Sequence, residues 1–337
     1  MKILVTGGTG YIGSHTAVEL IKKGHDVVLL DNLYNSNVNV IKRIEKITGY
    51  CPEFYNVDIL DKTNLKKVFE GNKFDAIIHF AGYKAVGESV SIPLTYYQNN
   101  IAGSLNLYEM MQEFGCNNIV FSSSATVYGD DFEVPFKESY GLGTTTNPYG
   151  TTKKFNEIIL TDFANANHDI SCVLLRYFNP IGAHESGLLG EVPNGIPNNL
   201  VPYIAKVASG ELEYLRVFGN DYPTVDGTGV RDYIHVVDLA KAHVLAIEYA
   251  VAHKGAEVIN VGSGKGYSVL EVLHAYEKAC GKELPYKILE RRPGDIATCY
   301  ADTKKAKELL GFEVEYDIEK MCEDSYRFTV LNPNGID

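Results

Sequence analysis

The sequence predicts an α/β fold in which a doubly wound parallel sheet is followed by a smaller C-terminal α/β domain. Two observations predict it. Through the first half of the chain, short apolar runs alternate with longer segments of helical periodicity, and strand, helix, strand repeats of this kind form parallel sheets with right-handed crossovers. After about residue 177 the sequence changes to a loop-like run rich in Gly, Pro and Asn, which indicates a change of domain.

The predicted strands are nearly continuous apolar runs, as expected for strands covered by helices on both faces. In chain order they are KILVT (2–6), DVVLL (26–30), EFYNV (53–57), DAIIHF (75–80), NIVFS (118–122) and CVLLRY (172–177).

Segments with apolar residues at helical spacing lie between these strands and predict the helices of the fold. They cover residues 12–23, 62–70, 95–114 and 149–167. Each helix would carry the chain from the end of one strand to the start of the next, as a parallel sheet requires.

We place the domain boundary after residue 177, so that residues 1–177 form the first domain and residues 178–337 the second. Residues 231–249 and 257–262 again show helix and strand patterns. We therefore expect the chain to return to the first sheet around residues 231–262.

Length and charge limit the possible functions. The chain has 337 residues, which is long enough for about two domains, and its formal net charge is -12. An acidic excess argues against nucleic acid or an anionic membrane as the main partner. The six cysteines are dispersed without a C-x-x-C pair, and neither a basic leader nor a membrane-length apolar run is present. These features lead us to expect a cytoplasmic protein with no metal site.

Three glycines, Gly7, Gly10 and Gly13, follow the first predicted strand and open the first predicted helix. They permit a tight turn and a close approach of the backbone to a pyrophosphate, which the free N–H groups of a helix N-terminus bind. Asp31 ends the second strand, where a carboxylate binds the ribose 2′-hydroxyl of NAD and repels the 2′-phosphate of NADP. The pattern predicts a Rossmann-type sheet that binds NAD. Asp58 either contacts the adenine edge or caps the helix over 62–70.

Tyr149 and Lys153 lie four residues apart in NPYGTTK (147–153), so both side chains lie on one helix face. A free tyrosine has a pKa near 10. A cation about 4 Å away contributes roughly 4 kcal/mol at an effective dielectric near 20, or about three pKa units. Lys153 and the positive nicotinamide ring are thus expected to make the phenol a base, with Ser124 hydrogen-bonded to the same substrate hydroxyl. The alternative for this pair is a solvated helix face.

These motifs resemble the extended short-chain dehydrogenase/reductase family. The resemblance rests on the glycine-rich start, on Ser124, Tyr149 and Lys153, and on GVRDYIHVVD (229–238). Within that family the chain resembles the UDP-glucose 4-epimerases from about residue 1 to 330. The segments that carry this resemblance are DNLYNS (31–36), FAGYKAVGES (80–89), YFNPIGAH (177–184), IPNNLVPYI (196–204) and FGNDYPTVDGTGVRDYIHV (218–236).

The resemblance implies a set of residues for each ligand. Besides the three glycines, NAD would be held by Tyr11, Ile12, Asp31, Asn32, Asn35, Ser36, Asp58, Ile59, Phe80, Ala81, Gly82, Lys84, Asn99, Ser124, Tyr149, Lys153 and Phe178. The UDP-hexose would be held by Asn179, Asn199, Leu200, Arg216, Val217, Phe218, Arg231 and the stretch from Arg292 through Pro293 and Gly294 to Asp295. Arg231 and Arg292 suit a diphosphate, which needs fork-shaped donors; surface salt bridges are their alternative role.

The resemblance further implies the reaction and its specificity. Sugar C4 is oxidised by NAD, the 4-keto intermediate turns, and the hydride returns to the opposite face, a reaction of galactose metabolism. Family members restricted to plain hexoses carry a bulky tyrosine where this chain has Cys299, so we expect UDP-N-acetylglucosamine and UDP-N-acetylgalactosamine to be substrates too. A one-residue shift that brings Tyr300 to the same place is the alternative.

Three other functions are compatible with the fold. A nucleotide-sugar 4,6-dehydratase would need an acidic pair where this chain has Ala125 and Thr126. A C4 reductase would consume added NADH, and a non-catalytic NAD-binding scaffold usually lacks the tyrosine or the lysine.

We also expect a homodimer. The segments 95–114 and 149–167 carry apolar residues on more than one stripe, among them Tyr96, Tyr97, Leu105, Met110 and Met111. Core packing explains such residues by default, but the family commonly pairs these two helices in a dimer interface.

Overall fold

The apolar runs of the first half form a parallel sheet of seven strands. The computed structural model describes residues 1–193, 195–292 and 295–336. Its strands are β1 (Lys2–Thr6), β2 (Asp26–Asp31), β3 (Glu53–Asn56), β4 (Ala76–His79), β5 (Asn118–Ser122), β6 (Ser171–Tyr177), β7 (Asn179–Ile181), β8 (Leu215–Phe218), β9 (Val230–His235), β10 (Gly255–Val261), β11 (Gly266–Ser268), β12 (Tyr286–Leu289) and β13 (Thr298–Cys299). All six predicted strands form.

Helices cover both faces of this sheet, which confirms the predicted α/β, doubly wound class. They are α1 (Tyr11–Lys22), α2 (Asn39–Thr48), α3 (Lys62–Glu70), α4 (Val86–Ser91), α5 (Pro93–Tyr97), α6 (Gly103–Phe114), α7 (Pro148–Ala166), α8 (Leu200–Ser209), α9 (Val236–Ala252), α10 (Val269–Cys280), α11 (Lys304–Leu310) and α12 (Ile318–Leu331). Helix α2, in which only Val40 and Ile44 are buried, is not among the predicted helices. In the part of the chain that the structure describes, no helix combines the length and apolarity needed to cross a bilayer.

The strand order is β10, β6, β5, β4, β1, β2, β3, and every neighbouring pair is parallel. The order reverses between β1 and β4, and ligands of open α/β sheets bind beyond the carboxyl ends of the strands at such a point. The glycine loop after β1 and the segment after β4 both lie there. This edge of the sheet is therefore the place to look for a cofactor site.

The remaining strands form small sheets beside the large one. β9 pairs with β7, β11 and β13, while β8 pairs with β12. The chain then returns, because β10 adds to the large sheet beside β6 and α9 packs against β5 and β6. The division at residue 177 itself stays a prediction.

The predicted helix over 95–114 forms, but it is not α-helical throughout. A π-helical turn over Gln98–Ala102 separates α5 from α6. Within it the side chain of Asn100 points inward, accepts a hydrogen bond from the backbone N–H of Tyr83 at 2.8 Å and donates to the Tyr83 carbonyl at 3.0 Å. π-turns of this kind commonly occur at functional sites, and this one also carries Asn99.

Candidate active site

The loop between β1 and α1 is built around close backbone packing. A Cβ at position 13 would lie 2.2 Å from the carbonyl oxygen of Gly7, and Gly7 itself has φ +69°, which favours glycine. A Cβ on Gly7 would lie 2.8 Å from the backbone nitrogen of Ala81, in the segment that follows β4. Helix α1 begins after Gly10 with no side chain capping its N-terminus. Its first N–H groups are thus free to bind an anion such as a pyrophosphate.

The buried carboxylate of Asp31, at the end of β2, is hydrogen-bonded to the loop between β1 and α1. It accepts hydrogen bonds from the backbone of Thr9 at 3.2 Å, from the backbone of Leu33 at 2.9 Å and from the Ser36 hydroxyl at 3.0 Å. Asp58, at the end of neighbouring β3, accepts from the Asn32 amide at 2.9 Å. The N-cap of α3 is Asp61, whose side chain accepts from Asn64, so the alternative role of Asp58 as that cap is wrong.

The remaining predicted cofactor residues surround the same strand ends. The amide of Asn99 donates to Asn100 at 2.9 Å, and the rings of Phe80 and His243 are in contact. Lys84 pairs with Glu191 at 2.9 Å, and the Tyr11 hydroxyl donates to the Gly182 carbonyl at 2.7 Å. Asn32 and Asn35 are exposed, whereas Ile59 and Phe178 are buried and Ile12, Ala81 and Gly82 are partly buried.

Local sequence fixes the position of the tyrosine and the lysine on α7. Pro148 occupies the first turn, and the side chain of Asn147 caps the helix by accepting from the Gly150 N–H at 2.9 Å. Tyr149 and Lys153 consequently lie one turn apart on the face that meets the end of β5. The Lys153 ammonium donates to the carbonyl of Ser122 at 2.5 Å. The Ser124 hydroxyl accepts from the backbone N–H of Thr126 at 3.2 Å and lies next to Tyr149.

Burial dominates the electrostatics of this pair in the protein alone. Burial raises the pKa of Tyr149, and only a hydrogen bond with Ser124 opposes that rise. Burial also lowers the pKa of Lys153 to about 7, opposed by the Glu157 carboxylate. In the protein alone, desolvation disfavours the charged form of both groups. The lowering of the Tyr149 pKa that was expected from Lys153 together with the nicotinamide ring of bound NAD stays a prediction.

Two arginines on the substrate side share one carboxylate. Asp295 lies 3.8 Å from Arg231 and 3.0 Å from Arg292, and the Arg292 guanidinium lies over the ring of Phe218. The structure thus brings together four residues that the resemblance assigned to the sugar nucleotide, with Asp295 placed between two fork-shaped donors. Of the same stretch, Pro293 and Gly294 lie outside the described residues.

The other predicted substrate residues differ in exposure. Asn199 forms the exposed N-cap of α8, which Leu200 begins, and Asn179 is exposed at the start of β7. Along β8, Arg216 is exposed while Val217 is buried, so Val217 can offer a ligand only its backbone.

Cys299 lies on the inner wall of the site. On β13 it pairs with Arg231 of β9, and its side chain packs against a cluster that includes Ala125, Phe136 and Phe178. The ring of Tyr300 lies instead near Gly266 of β11, so the structure does not place it where it would fill the space beside Cys299. A cleft of about 440 Å³ opens next to this wall, between residues 130–134 and 296–298.

A buried ionic pair that was not predicted from the sequence lies behind the tyrosine and the lysine. Glu157, one turn beyond Lys153 on α7, pairs with Arg176 of β6. The i, i+4 spacing from Lys153 was a signal that could have been used, but the identity of its partner could not be read from spacing.

Comparisons with known proteins agree along the whole chain. The profile of the NAD dependent epimerase/dehydratase family matches residues 3–262. The UDP-glucose 4-epimerase of Bacillus subtilis (strain 168) is 58% identical over 335 residues, covering 99% of this chain and 98% of that protein. The structure of UDP-glucose 4-epimerase from Bifidobacterium longum in complex with NAD+ and UDP has a TM-score of 0.96 and 54% identity, covering 99% of this chain and 100% of that one. The UDP-glucose 4-epimerase from Stenotrophomonas maltophila, solved with bound NAD and formylated UDP-arabinopyranose, has a TM-score of 0.96 and 47% identity, covering 99% of both chains.

Proposed function

The chain belongs to the NAD dependent epimerase/dehydratase family, and we propose that it acts as a UDP-glucose 4-epimerase that interconverts UDP-galactose and UDP-glucose. One observation carries this proposal: Tyr149, Lys153 and Ser124 meet at the end of β5, on the sheet edge where the glycine loop lies. Tyr149, the proposed proton acceptor, is thus held where one end of a bound dinucleotide would lie. A role in galactose metabolism follows from this activity.

The residues present fit NAD, the cofactor of this family. The uncapped start of α1 and the closely packed Gly7 and Gly13 suit its pyrophosphate, and Asp31 suits the adenosine ribose. When bound, NAD supplies a hydride acceptor for the sugar carbon C4 and a positive charge beside the phenol. Asn99, Lys153 and Phe178 are proposed to contact its nicotinamide half.

The chain's own residues transfer the proton of the C4 hydroxyl. Tyr149, as phenolate, takes the proton of the C4 hydroxyl as the C4–H bond breaks, leaving a 4-keto sugar. Ser124 hydrogen-bonds the same oxygen, and Lys153 holds a positive charge close to the phenol. In the second half of the reaction Tyr149 returns the proton to the oxygen while hydrogen is added back to C4 from the other face.

The distribution of polar groups suits a sugar that must turn. Arg231 and Arg292 are proposed to grip the diphosphate, with Asp295 holding both guanidiniums in place until a ligand arrives. The wall near Cys299 is made largely of apolar side chains, including Ala125 and Phe178. Firm contacts to the nucleotide and few directed bonds to the hexose would allow the 4-keto sugar to present either face.

We further propose that N-acetylated UDP-hexoses are substrates. A cysteine side chain is smaller than a phenol, so Cys299 leaves room at this wall that a tyrosine would fill. Burial raises the pKa of the Cys299 thiol to about 12, so the thiol stays protonated and acts as a small apolar wall. The position of Tyr300 near β11 supports the same proposal.

We also propose that the protein is a homodimer. Its interface would be formed by exposed apolar residues of neighbouring helices, Leu94, Leu105, Phe155 and Ile158, which are here called the α5–α7 patch. Leu94 is 81% exposed, and the ring of Tyr97 on α5 contacts that of Phe155 on α7, which joins the two helices. Tyr96, Met110 and Met111 are buried within the chain, so core packing, their default explanation, is confirmed for these three. A second copy is the occupant that we propose for the patch.

A reducing compartment, such as the cytoplasm, is the proposed location. All six cysteines are free, and burial raises the pKa of Cys116, Cys172 and Cys322 to about 12. Thiols of this kind stay protonated and unreactive at neutral pH. Titration of the unfolded protein, purified without reductant, should find all of its cysteines reduced.

Incubation of the purified protein with UDP-galactose alone tests the main proposal. Conversion to UDP-glucose without added NAD is expected, since the cofactor is restored in each cycle. Steady consumption of added NADH would instead indicate a C4 reductase. Loss of water from the sugar would indicate a dehydratase, although Ala125 and Thr126 offer no acid pair. No turnover with intact bound nicotinamide would favour the scaffold.

A further inference from the structure

One face of α7 meets the end of β5 at three successive levels. Tyr149, Lys153 and Glu157 are spaced by four residues, which stacks them along one side of the helix. Their partners are three consecutive serines at the end of the strand. Tyr149 contacts Ser124, Lys153 contacts Ser122, and Glu157 contacts Ser123.

The third of these contacts is fully buried. The Ser123 hydroxyl donates to the Oε1 atom of Glu157, and neither residue is reached by solvent to any appreciable extent. The second contact uses the backbone, because Lys153 binds the carbonyl of Ser122. Ser123 therefore lies between Ser122, whose carbonyl binds Lys153, and Ser124, whose hydroxyl contacts Tyr149.

Arg176 holds the Glu157 carboxylate in place. Its Nε lies 2.9 and 3.2 Å from the two carboxylate oxygens, and its Nη2 lies 2.6 Å from Oε2. The same guanidinium donates to the Gly141 carbonyl at 3.1 Å and lies 4.7 Å from the centre of the Tyr128 ring. Stability alone is a weak reason for such a pair, because apolar replacements of buried ion pairs are often neutral or stabilising.

We propose that Glu157, fixed by Arg176, is a positioning residue for the reaction: through Ser123 it sets the end of β5 against Tyr149 and Lys153. This inference rests on the proposed function and adds to it a residue that does not touch substrate or cofactor. Proton transfer requires a hydrogen-bonded geometry held to within a fraction of an ångström. Ser122 is the last residue of β5 and pairs with Leu175 of β6, whereas Ser123 and Ser124 lie beyond the end of the strand. The side-chain hydrogen bond of Ser123 therefore restrains the segment that carries Ser124 just after the ladder ends. The Glu157 carboxylate also opposes the effect of burial on the pKa of Lys153.

Ser123→Ala is the variant that tests this role. It removes the hydroxyl but leaves the Glu157–Arg176 pair intact, so no buried charge loses its partner and the protein is expected to fold. The matched control is Tyr108→Phe, which removes a buried hydroxyl that donates at 2.8 Å to Asn156, the residue before Glu157. Turnover of UDP-galactose, the content of bound nicotinamide and the thermal midpoint are measured for both variants and for the unchanged protein.

For Ser123→Ala we expect kcat to fall about tenfold, with KM for UDP-galactose and bound nicotinamide unchanged. The absorbance band of reduced nicotinamide should also form more slowly in a single turnover. Tyr108→Phe should lower the thermal midpoint by a similar amount and leave kcat unchanged. Equal kcat values for Ser123→Ala and the unchanged protein would overturn the inference, as would parallel losses of kcat in both variants. Absence of turnover in the unchanged protein would refute the proposed function instead.

Discussion

The ammonium nitrogen of Lys153 lies 5.8 Å from the centre of the Tyr149 ring, one turn away on the same face of α7. Burial raises the pKa of the phenol and lowers that of the amine to about 7. Burial thus disfavours the charged form of both groups in the protein alone, whereas the reaction needs a phenolate beside an ammonium. The positive nicotinamide ring of bound NAD is therefore expected to lower the pKa of the Tyr149 phenol in the proposed mechanism.

Replacing the phenol should remove most of the activity. Tyr149→Phe is expected to lower kcat for UDP-galactose by at least about 100-fold, the usual contribution of a general acid–base group. Bound nicotinamide should be retained, because the ring is still present. Tyr249→Phe, on the distant α9, serves as the control and should have normal kcat. An unchanged kcat for Tyr149→Phe would contradict the mechanism.

The glycine loop should tolerate no side chain at position 13. A Cβ there would lie 2.2 Å from the Gly7 carbonyl oxygen, so Gly13→Ala must displace the loop that we propose binds the pyrophosphate. We expect less bound nicotinamide in the purified protein, measured after release by acid. At Gly87 a Cβ would meet nothing within 4 Å, and Gly87→Ala should keep the full amount. Equal amounts of bound nicotinamide in Gly13→Ala and Gly87→Ala would argue against the proposed cofactor site.

A larger residue at position 299 should narrow specificity. Cys299→Tyr is expected to abolish turnover of UDP-N-acetylgalactosamine while keeping turnover of UDP-galactose, because the phenol would occupy the space of the acetamido group. The measurement is kcat/KM for both substrates. Cys280→Tyr, at the end of α10, is the control for a change of thiol to phenol outside the site. Loss of both activities in Cys299→Tyr would show a general disruption, not a gate.

A buried histidine predicts acid sensitivity. Burial lowers the pKa of His243 to about 4, and its Nδ1 donates to the Leu239 carbonyl at 2.8 Å. Between about pH 6.5 and 4 the unfolded chain binds a proton that the folded chain does not, so stability falls as the pH falls, by up to about 1.4 kcal/mol per pH unit for this group. His243→Gln should reduce the slope of unfolding free energy against pH by about that amount. The free energy of unfolding is measured by urea titration at several pH values. The same slope against pH in His243→Gln and the unchanged protein would contradict this prediction.

A charge in the α5–α7 patch should separate the proposed dimer. Phe155→Asp places a carboxylate where apolar area would otherwise be covered, so sedimentation at micromolar concentration is expected to give the mass of one chain. Val330→Asp, on the exposed face of α12, is the matched control and should leave the mass of two chains. A single-chain mass for the unchanged protein would remove the dimer proposal.

The sequence by itself determined the parallel sheet, the glycine loop with Asp31 and the spacing of Tyr149 and Lys153. These features follow from local rules: burial on both faces makes a strand continuously apolar, a pyrophosphate loop needs glycine, and i, i+4 residues share a helix face. Only the tertiary structure decided that α5 and α6 are separated by a π-turn, that Arg176 is the partner of Glu157, and that Cys299 and not Tyr300 lines the wall. Each of these depends on contacts between residues far apart in the chain, which periodicity does not encode. The burial that raises the pKa of Tyr149 belongs to the same class, because desolvation is a property of everything packed around a group and not of its neighbours in sequence.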